Sequence, residues 1–273
     1  MIKYSYRGIT TPVRVFNFPG GETGIDINIG AQYPDYATQL VRVSAALQND
    51  AEIMALLQTV NALRKQFPRA ALDLSLPYVP YARQDRACNA GEAHSMVVMA
   101  DLINLCGFSR VEVLDAHSDV APALIKNCTN LPQSIIFRKI VDTFEDYFIV
   151  APDAGAYKKA HNLAKALHAK GVICANKVRD VATGKILSVT INENVEGLNL
   201  LVADDICDGG RTFIELAEVL RKKNCGTLKL VVTHGLFTKG VGVVADYYDK
   251  IYTTNSYLVE PIVHPKVDWV SVV

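Results

Sequence analysis

The chain has 273 residues, half of them apolar, and its 28 basic and 28 acidic residues cancel to zero formal charge. This composition supplies a large buried core, excludes an intrinsically disordered chain, and gives no basic excess for binding nucleic acid. The first residues, MIKYSYRGIT, lack the apolar core of a signal peptide, and no apolar run approaches the ~20 residues of a membrane helix. The six cysteines form no C-x-x-C pair, which favours reduced thiols and a cytoplasmic protein that contacts no membrane.

In the first half of the chain, apolar runs that end at turns alternate with helical patterns. The predicted elements are strands at Val13–Phe18 and Ile25–Ile29 around a Gly20-Gly21 turn, a helix capped by Asp50 and running to about Phe67, a strand at Ala71–Leu76, a helix at Glu92–Cys106 closed by Gly107, and a strand at Val111–Leu114. The polar segments of this half follow the apolar strands.

The second half repeats the same plan. Its predicted elements are strands at Tyr147–Val150, Val172–Ala175, Ile186–Ile191, Leu198–Val202 and Leu228–Thr233, with helices at Ala156–Ala169 and Thr212–Lys222. Alternating helices and fully apolar strands predict an α/β fold of two similar domains, each a mostly parallel sheet flanked by helices. We expect the domains to be residues 1–145 and 146–273, and we allow for the final residues packing back on the first domain.

The sharpest signal is the segment LLVADDICDGGRTF at Leu200–Phe213. An apolar strand is predicted to end at Asp204 and Asp205, at the edge where open α/β sheets place their ligands. Two adjacent carboxylates suit ribose hydroxyls or a metal ion. A tight strand–helix turn with a capping Asp is the plainer alternative.

Two glycines and a hydroxyl residue follow those acids. Gly209 and Gly210 allow the backbone to approach a ligand closely, and amides at a helix start favour phosphate. Thr212 adds a hydroxyl donor at the predicted helix start, and Arg211 offers a cation. This order of groups predicts a phosphate site beside two acids that suit ribose hydroxyls or a metal ion.

The segment resembles the phosphoribosyl-binding loop of type I phosphoribosyltransferases and of ribose-phosphate pyrophosphokinases. The resemblance implies that Asp204 and Asp205 hold the ribose hydroxyls and that residues 208–212 wrap the 5-phosphate. The phosphate-binding set is then Asp208, Gly209, Gly210, Arg211 and Thr212. The usual family loop has Thr where this chain has Gly209, and a small residue where it has Arg211.

Two segments in the first half favour the pyrophosphokinases. YVPYARQDR, at Tyr78–Arg86, resembles their nucleotide-binding stretch, in which Arg83, Gln84 and Asp85 meet ATP. LDAHS, at 114–118, resembles their pyrophosphate and metal loop, which makes His117 an ATP contact and a metal ligand. A solvated charged loop and a structural histidine are the respective alternatives.

Two segments in the second half favour the same family. APDAGAYKKA resembles the family's P-D-x-G turn, which implies that Asp153 is a second ligand of Mg²⁺. A capping Asp on the next helix is the alternative, and one residue can serve both roles. NKVRDVATGK lies where the family has a catalytic hairpin, which implies catalytic roles for Lys177 and Arg179.

A fifth element is the short segment FPGGE. It resembles the family's F-x-D-G-E element, which reaches the adenine of a neighbouring subunit, and Gly20 stands where the family has Asp. Phe18 and Glu22 match that element, so the resemblance implies ATP contacts for both and a homo-oligomer of at least two copies. The family's hexamer and its phosphate and ADP control are not carried over, because the chain begins closer to this element than is usual and lacks the usual final helix.

Together the motifs resemble a short variant of ribose-phosphate pyrophosphokinase, with Mg²⁺ as cofactor and ATP and ribose 5-phosphate as substrates. A phosphoribosyltransferase that uses phosphoribosyl pyrophosphate (PRPP) is one alternative, but it gives YARQDR and LDAHS no role. A catalytically inactive regulatory homologue is another. The retained Lys177, Arg179, Asp204 and Asp205 count against it.

Overall fold

The computed structural model describes residues 1–28, 37–141, 146–179, 186–260 and 262–273, with the backbone alone at 139–141, 177–179 and 186–188. The chain divides into two compact units, Met1–Leu131 with Val273, and Pro132–Val272. The division lies earlier than the expected boundary after residue 145. The cause is Phe137, whose fully buried ring packs with Tyr147 and Ile149 in a core of the second unit.

The first unit is built on a six-stranded sheet of order β2-β1-β5-β6-β7-β8, in which β5 to β8 run parallel and β1 is antiparallel to both neighbours. Its elements are β1 (Ile2–Tyr6), β2 (Ile9–Pro12), β3 (Arg14–Asn17), β4 (Thr23–Asp26), β5 (Leu40–Ala45), α1 (Asp50–Gln66), β6 (Ala71–Ser75), α2 (Ser95–Leu105), β7 (Arg110–Leu114), α3 (Val120–Leu124) and β8 (Cys128–Leu131). Strands β3 and β4 form a separate antiparallel hairpin.

Two helix starts in this unit differ from the prediction. Helix α1 is capped by Asn49, whose side chain accepts the amide of Glu52, and Asp50 is instead its first helical residue. Helix α2 begins at Ser95, because the Glu92 carboxylate accepts the backbone amide of Cys88 at 2.8 Å and so holds the preceding loop. Both differences follow from side chains that bond the backbone locally.

The second unit has a fully parallel sheet of order β10-β9-β13-β14-β15-β16, and a two-stranded antiparallel sheet, β11-β12. Its elements are α4 (Ser134–Val141), β9 (Tyr147–Ala151), α5 (Tyr157–Ala166), β10 (Val172–Cys174), β11 (Asn176–Arg179), β12 (Ile186–Thr190), β13 (Asn199–Cys207), α6 (Arg211–Lys222), β14 (Leu228–Gly235), α7 (Gly242–Ala245), β15 (Lys250–Thr254) and β16 (Val267–Val270). The predicted α/β fold of two mostly parallel, helix-flanked sheets is confirmed.

The central strands of the second sheet are apolar because both of their faces are covered. Leu200 and Val202 of β13 pack in one core with the α6 residue Leu216, whereas Leu201 packs in the opposite core with Leu163 of α5. Successive strand residues point to opposite faces, so a strand between two helix layers needs apolar residues at every position. In the described part of the chain, none of the helices has the length and apolarity that crossing a membrane requires.

Candidate functional site

The two adjacent acids lie inside a strand. The sequence had suggested that they stand at or after the end of that strand. β13 continues to Cys207, and Asp204 is paired in register with Val232 of the adjacent β14. β13 therefore ends beyond both predicted ends, Val202 and Asp204–Asp205, because the backbone ladder with β14 continues through the polar residues. The acids still occupy the carboxyl end of the central strand of the sheet.

Asp205 is only 5% exposed and is held by at least three polar contacts. One oxygen, Oδ2, lies 3.3 Å from Lys159 Nζ, and the other accepts the backbone amide of Ile206 at 2.9 Å. Its own amide donates to Asp204 Oδ1 at 2.9 Å. A buried carboxylate is stable only when paired or hydrogen-bonded, and Lys159 of α5 supplies the pairing charge.

The surroundings of Asp204 disfavour the ionised form of its carboxyl group. Burial raises its pKa well above the ordinary value, and the neighbouring carboxylates of Asp205 and Asp153 raise it further. Asp153 follows β9, the strand beside β13, so the three acids share one edge of the sheet. Oxygen-rich, like-charged clusters of this kind suit a divalent cation or the donors of ribose hydroxyls.

Asp153 also has the local role that the sequence left open. Its Oδ1 accepts the amide of Ala156 at 3.1 Å, just before α5 begins at Tyr157. Among the described residues, the second oxygen of the carboxylate has no hydrogen-bond partner. A turn-forming role and a metal-binding role are therefore compatible, because they use different oxygens.

The glycine loop ends at Gly210, which caps α6 with a φ of 80°. A Cβ at this position would lie 2.3 Å from Val244 Cγ2, closer than real atoms approach. The Gly210 carbonyl accepts the amides of Phe213 and Ile214, both at 3.0 Å. Gly210 thus fixes the helix start, which lies at Arg211, one residue earlier than predicted.

Gly210→Ala is expected to lower the free energy of unfolding by about 3 kcal/mol, because it adds both backbone strain and overlap with Val244. Gly209→Ala is the matched control. A Cβ there would meet only the Lys239 side chain at 3.5 Å or more, and its φ lies outside the left-handed region. Urea denaturation of both variants measures the difference, and equal stabilities would contradict this account of the loop.

Arg211, which the sequence offered as a cation for the phosphate, pairs instead with a carboxylate of its own helix. Its Nε donates to Glu215 Oε1 at 2.6 Å, one helical turn further along α6. Thr212 lies in the first turn of the same helix and is partly buried. The loop therefore presents backbone amides and a nearby hydroxyl, while the guanidinium is engaged with a carboxylate.

In the first unit, the two segments predicted to bind ATP lie together. A hydrogen bond from Ser118 lowers the pKa of Asp85. The pKa is lowered further by Arg86, whose Nε lies 3.2 Å from Asp85 Oδ1, and by the charge of His117. Asp85 and Arg86 come from the YARQDR segment, whereas His117 and Ser118 belong to LDAHS. The structure thus brings Asp85 and His117 into one cluster, as their shared assignment to ATP requires.

Backbone geometry exposes His117 at the end of β7. Asp115 is buried with a φ of 43°, its amide donates to the Leu131 carbonyl at 2.7 Å, and the Ala116 amide donates to Asn130 Oδ1 at 3.0 Å. The next side chain is consequently exposed to solvent. A histidine held in this way lies at the protein surface and does not fill the core.

Arg83 and Gln84 are exposed beside this cluster. The Gln84 backbone is fixed at both ends, since its amide donates to Tyr81 at 2.9 Å and its carbonyl accepts from Met96 at 3.3 Å. The side chains of Arg83 and Gln84 therefore project from a segment whose backbone is fixed by hydrogen bonds. This arrangement suits contacts to a bound phosphate or base, which a guanidinium fork can make.

The predicted FPGGE turn joins β3 and β4. The Phe18 amide donates to the Glu22 carbonyl at 2.8 Å, and Gly21 turns the chain with a φ of 94°. The Phe18 ring is 51% exposed and meets Phe16 edge-on at 5.2 Å. An exposed ring braced by a second ring is available to stack on a base.

The hairpin predicted to carry the catalytic cations is present as β11 and β12. Lys177 pairs in register with Val189, and Arg179 lies at the end of β11. The side chains of both cations lie outside the described residues, as does the segment 180–185. Their catalytic roles therefore stay predictions.

The candidate residues thus fall into two groups. Phe18, Glu22, Arg83, Gln84, Asp85 and His117 belong to the first unit, and the remainder belong to the second. The two predicted metal ligands, His117 and Asp153, belong to different units. Within the described ranges, no group of three or more His, Cys, Asp or Glu residues forms a metal-binding cluster.

Two residues of the second group were not singled out from the sequence. Lys159 pairs with Asp205, and Gln133 donates to the Asp204 carbonyl at 2.7 Å and to Thr233 Oγ1 at 2.9 Å. The signal for Lys159 was its place on the helix after the P-D-x-G turn. For Gln133 the sequence carries no such signal, because its partners lie 71 and 100 positions away.

Residues 120–264 match the phosphoribosyl transferase domain family, and this match covers more than half of the 273 residues. The chain belongs to that family. The glycine loop and the two acids lie inside the matched region, so the family resemblance drawn from those motifs is confirmed.

Among curated proteins, the chain is similar to enzymes named ribose-phosphate pyrophosphokinase. It is 31% identical to that of Mycoplasmopsis pulmonis over 212 residues, 75% of this chain and 64% of the relative. It is 28% identical to that of Pyrococcus furiosus over 252 residues, 90% of this chain and 86% of the relative. The chain thus spans 64% of the length of the first relative and more of the second.

A solved structure has the same fold. The phosphoribosylpyrophosphate synthetase of Mycobacterium smegmatis superposes with a TM-score of 0.79, covering 96% of this chain and 86% of the other, at 21% identity. At this identity the likeness establishes the fold. It agrees with the two helix-flanked sheets described above, and the relatives confirm the resemblance to the pyrophosphokinases.

Proposed function

We propose that the chain is a ribose-phosphate pyrophosphokinase, which transfers the β,γ-pyrophosphoryl group of Mg-ATP to the 1-hydroxyl of ribose 5-phosphate. The products are PRPP and AMP. The observation that carries this proposal is the junction of β13 and α6, where Asp204 and Asp205 precede a glycine loop at a helix start. Relatives of that name, aligned over up to 90% of the chain, support it.

The second unit binds the sugar phosphate in this proposal. Asp204 and Asp205 accept hydrogen bonds from the ribose hydroxyls, and the amides of residues 208–212 hold the 5-phosphate. Lys159 compensates the Asp205 charge from one side, which leaves the acids able to accept from hydroxyls without an excess of negative charge. The 5-phosphate anchor then aligns the 1-hydroxyl for reaction.

The first unit binds the nucleotide. Arg83, Gln84 and Asp85 contact ATP, and His117 lies in the same cluster as Asp85. Phe18 and Glu22 reach the adenine of a neighbouring copy, so we propose a homo-oligomer of at least two chains. The exposed Phe18 ring supports that role, since a base can stack on it. We place the enzyme in the cytoplasm, where its substrates are made.

His117 and Asp153 are the proposed ligands of Mg²⁺. A cation beside Asp153 would relieve the repulsion between neighbouring carboxylates that helps to raise the pKa of Asp204. A bound Mg²⁺ neutralises polyphosphate charge and leaves room for water and substrate oxygens in its coordination shell. A sparse protein ligand set is therefore sufficient.

The protein's own part in the reaction is positioning and charge stabilisation. The 1-hydroxyl of the sugar attacks the β-phosphorus of ATP, a P–O bond forms, and the bond to the α-phosphate oxygen breaks as AMP leaves. Lys177 and Arg179 neutralise the charge that develops on the transferring group. Closure of their hairpin excludes water, which would otherwise compete as the acceptor.

A phosphoribosyltransferase acting on PRPP and a base is the second candidate. The match of residues 120–264 to the phosphoribosyl transferase domain favours it. It gives no role to the cluster of Asp85, Ser118 and His117 in the first unit, all of which lies outside that region. Incubating the protein with PRPP and each purine or pyrimidine base, and assaying the nucleotide formed, separates the two candidates.

The proposal predicts an absolute requirement for a divalent cation. With ATP and ribose 5-phosphate, the chain should form AMP and PRPP in equal amounts when Mg²⁺ is present. EDTA should abolish both products and added Mg²⁺ should restore them, because few protein charges are available to neutralise a polyphosphate. Chromatography of the nucleotides measures this, and full turnover in metal-free buffer would refute the roles of His117 and Asp153.

A further inference from the structure

A second turn, at residues 236–240, lies directly beside the glycine loop that precedes α6. The Leu236 amide donates to the Cys207 carbonyl at 2.8 Å. Thr238 is bound to Asp208 twice, through its amide to the carbonyl at 3.3 Å and through its Oγ1 to Oδ1 at 2.8 Å. The two turns are therefore fixed to one another by backbone and side-chain hydrogen bonds.

Lys239 of this second turn lies along the glycine loop. Its Cε, Cδ and Cγ are 3.5, 3.6 and 3.8 Å from the point at which a Cβ of Gly209 would stand. The ammonium is one bond beyond Cε, so it stays within about 5 Å of that point. The missing side chain at Gly209 leaves this strip of the loop open, and the lysine stem runs across it.

Two other cations at this edge of the sheet, Arg211 and Lys159, are already engaged with carboxylates. Arg211 binds Glu215 at 2.6 Å, and Lys159 binds Asp205 at 3.3 Å. Lys239 is exposed and makes no ion pair with the residues that the structure describes. Its charge is consequently available to an anion held by the loop amides.

We propose that Lys239 binds the phosphate group of the sugar substrate, supplying the cation that the sequence had suggested for Arg211. The inference rests on the proposed function, because it takes the loop as the 5-phosphate site. A lysine ammonium contacts phosphate as a mobile point charge and does not require the planar geometry of a guanidinium. Its stem has room beside the loop, since even a Cβ at Gly209 would meet it only at van der Waals distance.

Calorimetric titration of the full-length protein with ribose 5-phosphate and with unphosphorylated ribose tests this proposal. Lys239→Met keeps the apolar stem and removes the charge, so it should weaken binding of ribose 5-phosphate about tenfold, as expected when a charged hydrogen bond is lost. Binding of ribose and of ATP should not change. Added salt should weaken the wild type more than the variant, since screening acts on the lost charge.

Two further variants make the test specific. Lys239→Arg should keep most of the affinity. Lys222→Met removes an equal charge about 18 Å away, at the far end of α6, and should bind ribose 5-phosphate normally. If the wild type binds ribose 5-phosphate and Lys239→Met binds it equally well, the role of Lys239 is wrong while the proposed function stands. If the wild type itself does not bind ribose 5-phosphate, both are wrong.

Discussion

Lys177→Ala is expected to lower turnover at least ~10²-fold while leaving the affinity for ribose 5-phosphate nearly unchanged. The reason is that the lysine acts on charge that develops on the transferring group, and so binds the transition state more strongly than the bound substrates. Steady-state kinetics at saturating ATP, with direct titration of the sugar phosphate, measure the two quantities separately. A larger effect on binding than on turnover would reassign Lys177 to substrate binding.

Arg179→Ala should have a similar effect, and the loss in the double variant should be smaller than the product of the two single losses. Both cations serve the same developing charge, and groups that share one partner do not act additively. Lys170→Ala is a matched control in the same unit. It removes an exposed lysine whose ion pair with Asp146 is 2.9 Å long, and such surface pairs contribute little. Its turnover should equal that of the wild type.

Asp205→Asn is expected to raise the apparent constant for ribose 5-phosphate at least ~10-fold, with a smaller change for ATP. The amide keeps the size of the carboxylate but loses one acceptor and the charge that pairs with Lys159. The sugar hydroxyls therefore lose an acceptor, whereas the nucleotide contacts of the first unit are untouched. Calorimetric titration with each substrate separates the two effects.

Asp249→Asn is the matched control for this prediction. Asp249 lies in the same unit, before β15 and so at the amino edge of the sheet, and pairs with Arg221 at 3.0 Å. The substitution makes the same chemical change at the edge of the sheet opposite the candidate site. If both variants lose ribose 5-phosphate affinity equally, the loss reflects general destabilisation and Asp205 is not a sugar ligand.

Much of the fold follows from the sequence because its buried strands are long apolar runs. The strands β6, β7, β9 and β14 were predicted to within two residues at each end. The end of β13 was placed too early because Asp204 and Asp205 are polar, and polarity usually marks the end of a buried strand. Here the acids stay in the ladder since their neighbour β14 continues beside them, which a single sequence cannot reveal.

The antiparallel pair β1 and β2 was missed for a different reason. Strand β2 is an edge strand with mostly exposed residues, and its alternation of apolar and polar residues is too weak to separate from a loop. The division after Leu131 was missed because it depends on the core that Phe137 joins. Both features are set by tertiary packing, which local patterns do not contain.

For the candidate site too, some residues could be predicted from the sequence and others could not. Its motif residues could be predicted because glycines, paired acids and a helix start carry local chemical meaning. The residues that support them could not. Lys159 and Lys239 reach the site from other elements, and the local sequence does not show which side chains they meet. The steric need for Gly210, set by Val244, is likewise visible only in the fold.

In the proposed reaction, both terminal phosphates of ATP move together to the sugar. Incubation with Mg²⁺, ribose 5-phosphate and ATP labelled separately at the β- and γ-phosphates tests this transfer. Both labels should appear in PRPP in equal amounts, with one AMP formed for each PRPP. Formation of ADP with only the γ-label on the sugar, or release of both labels as free pyrophosphate without PRPP, would contradict it.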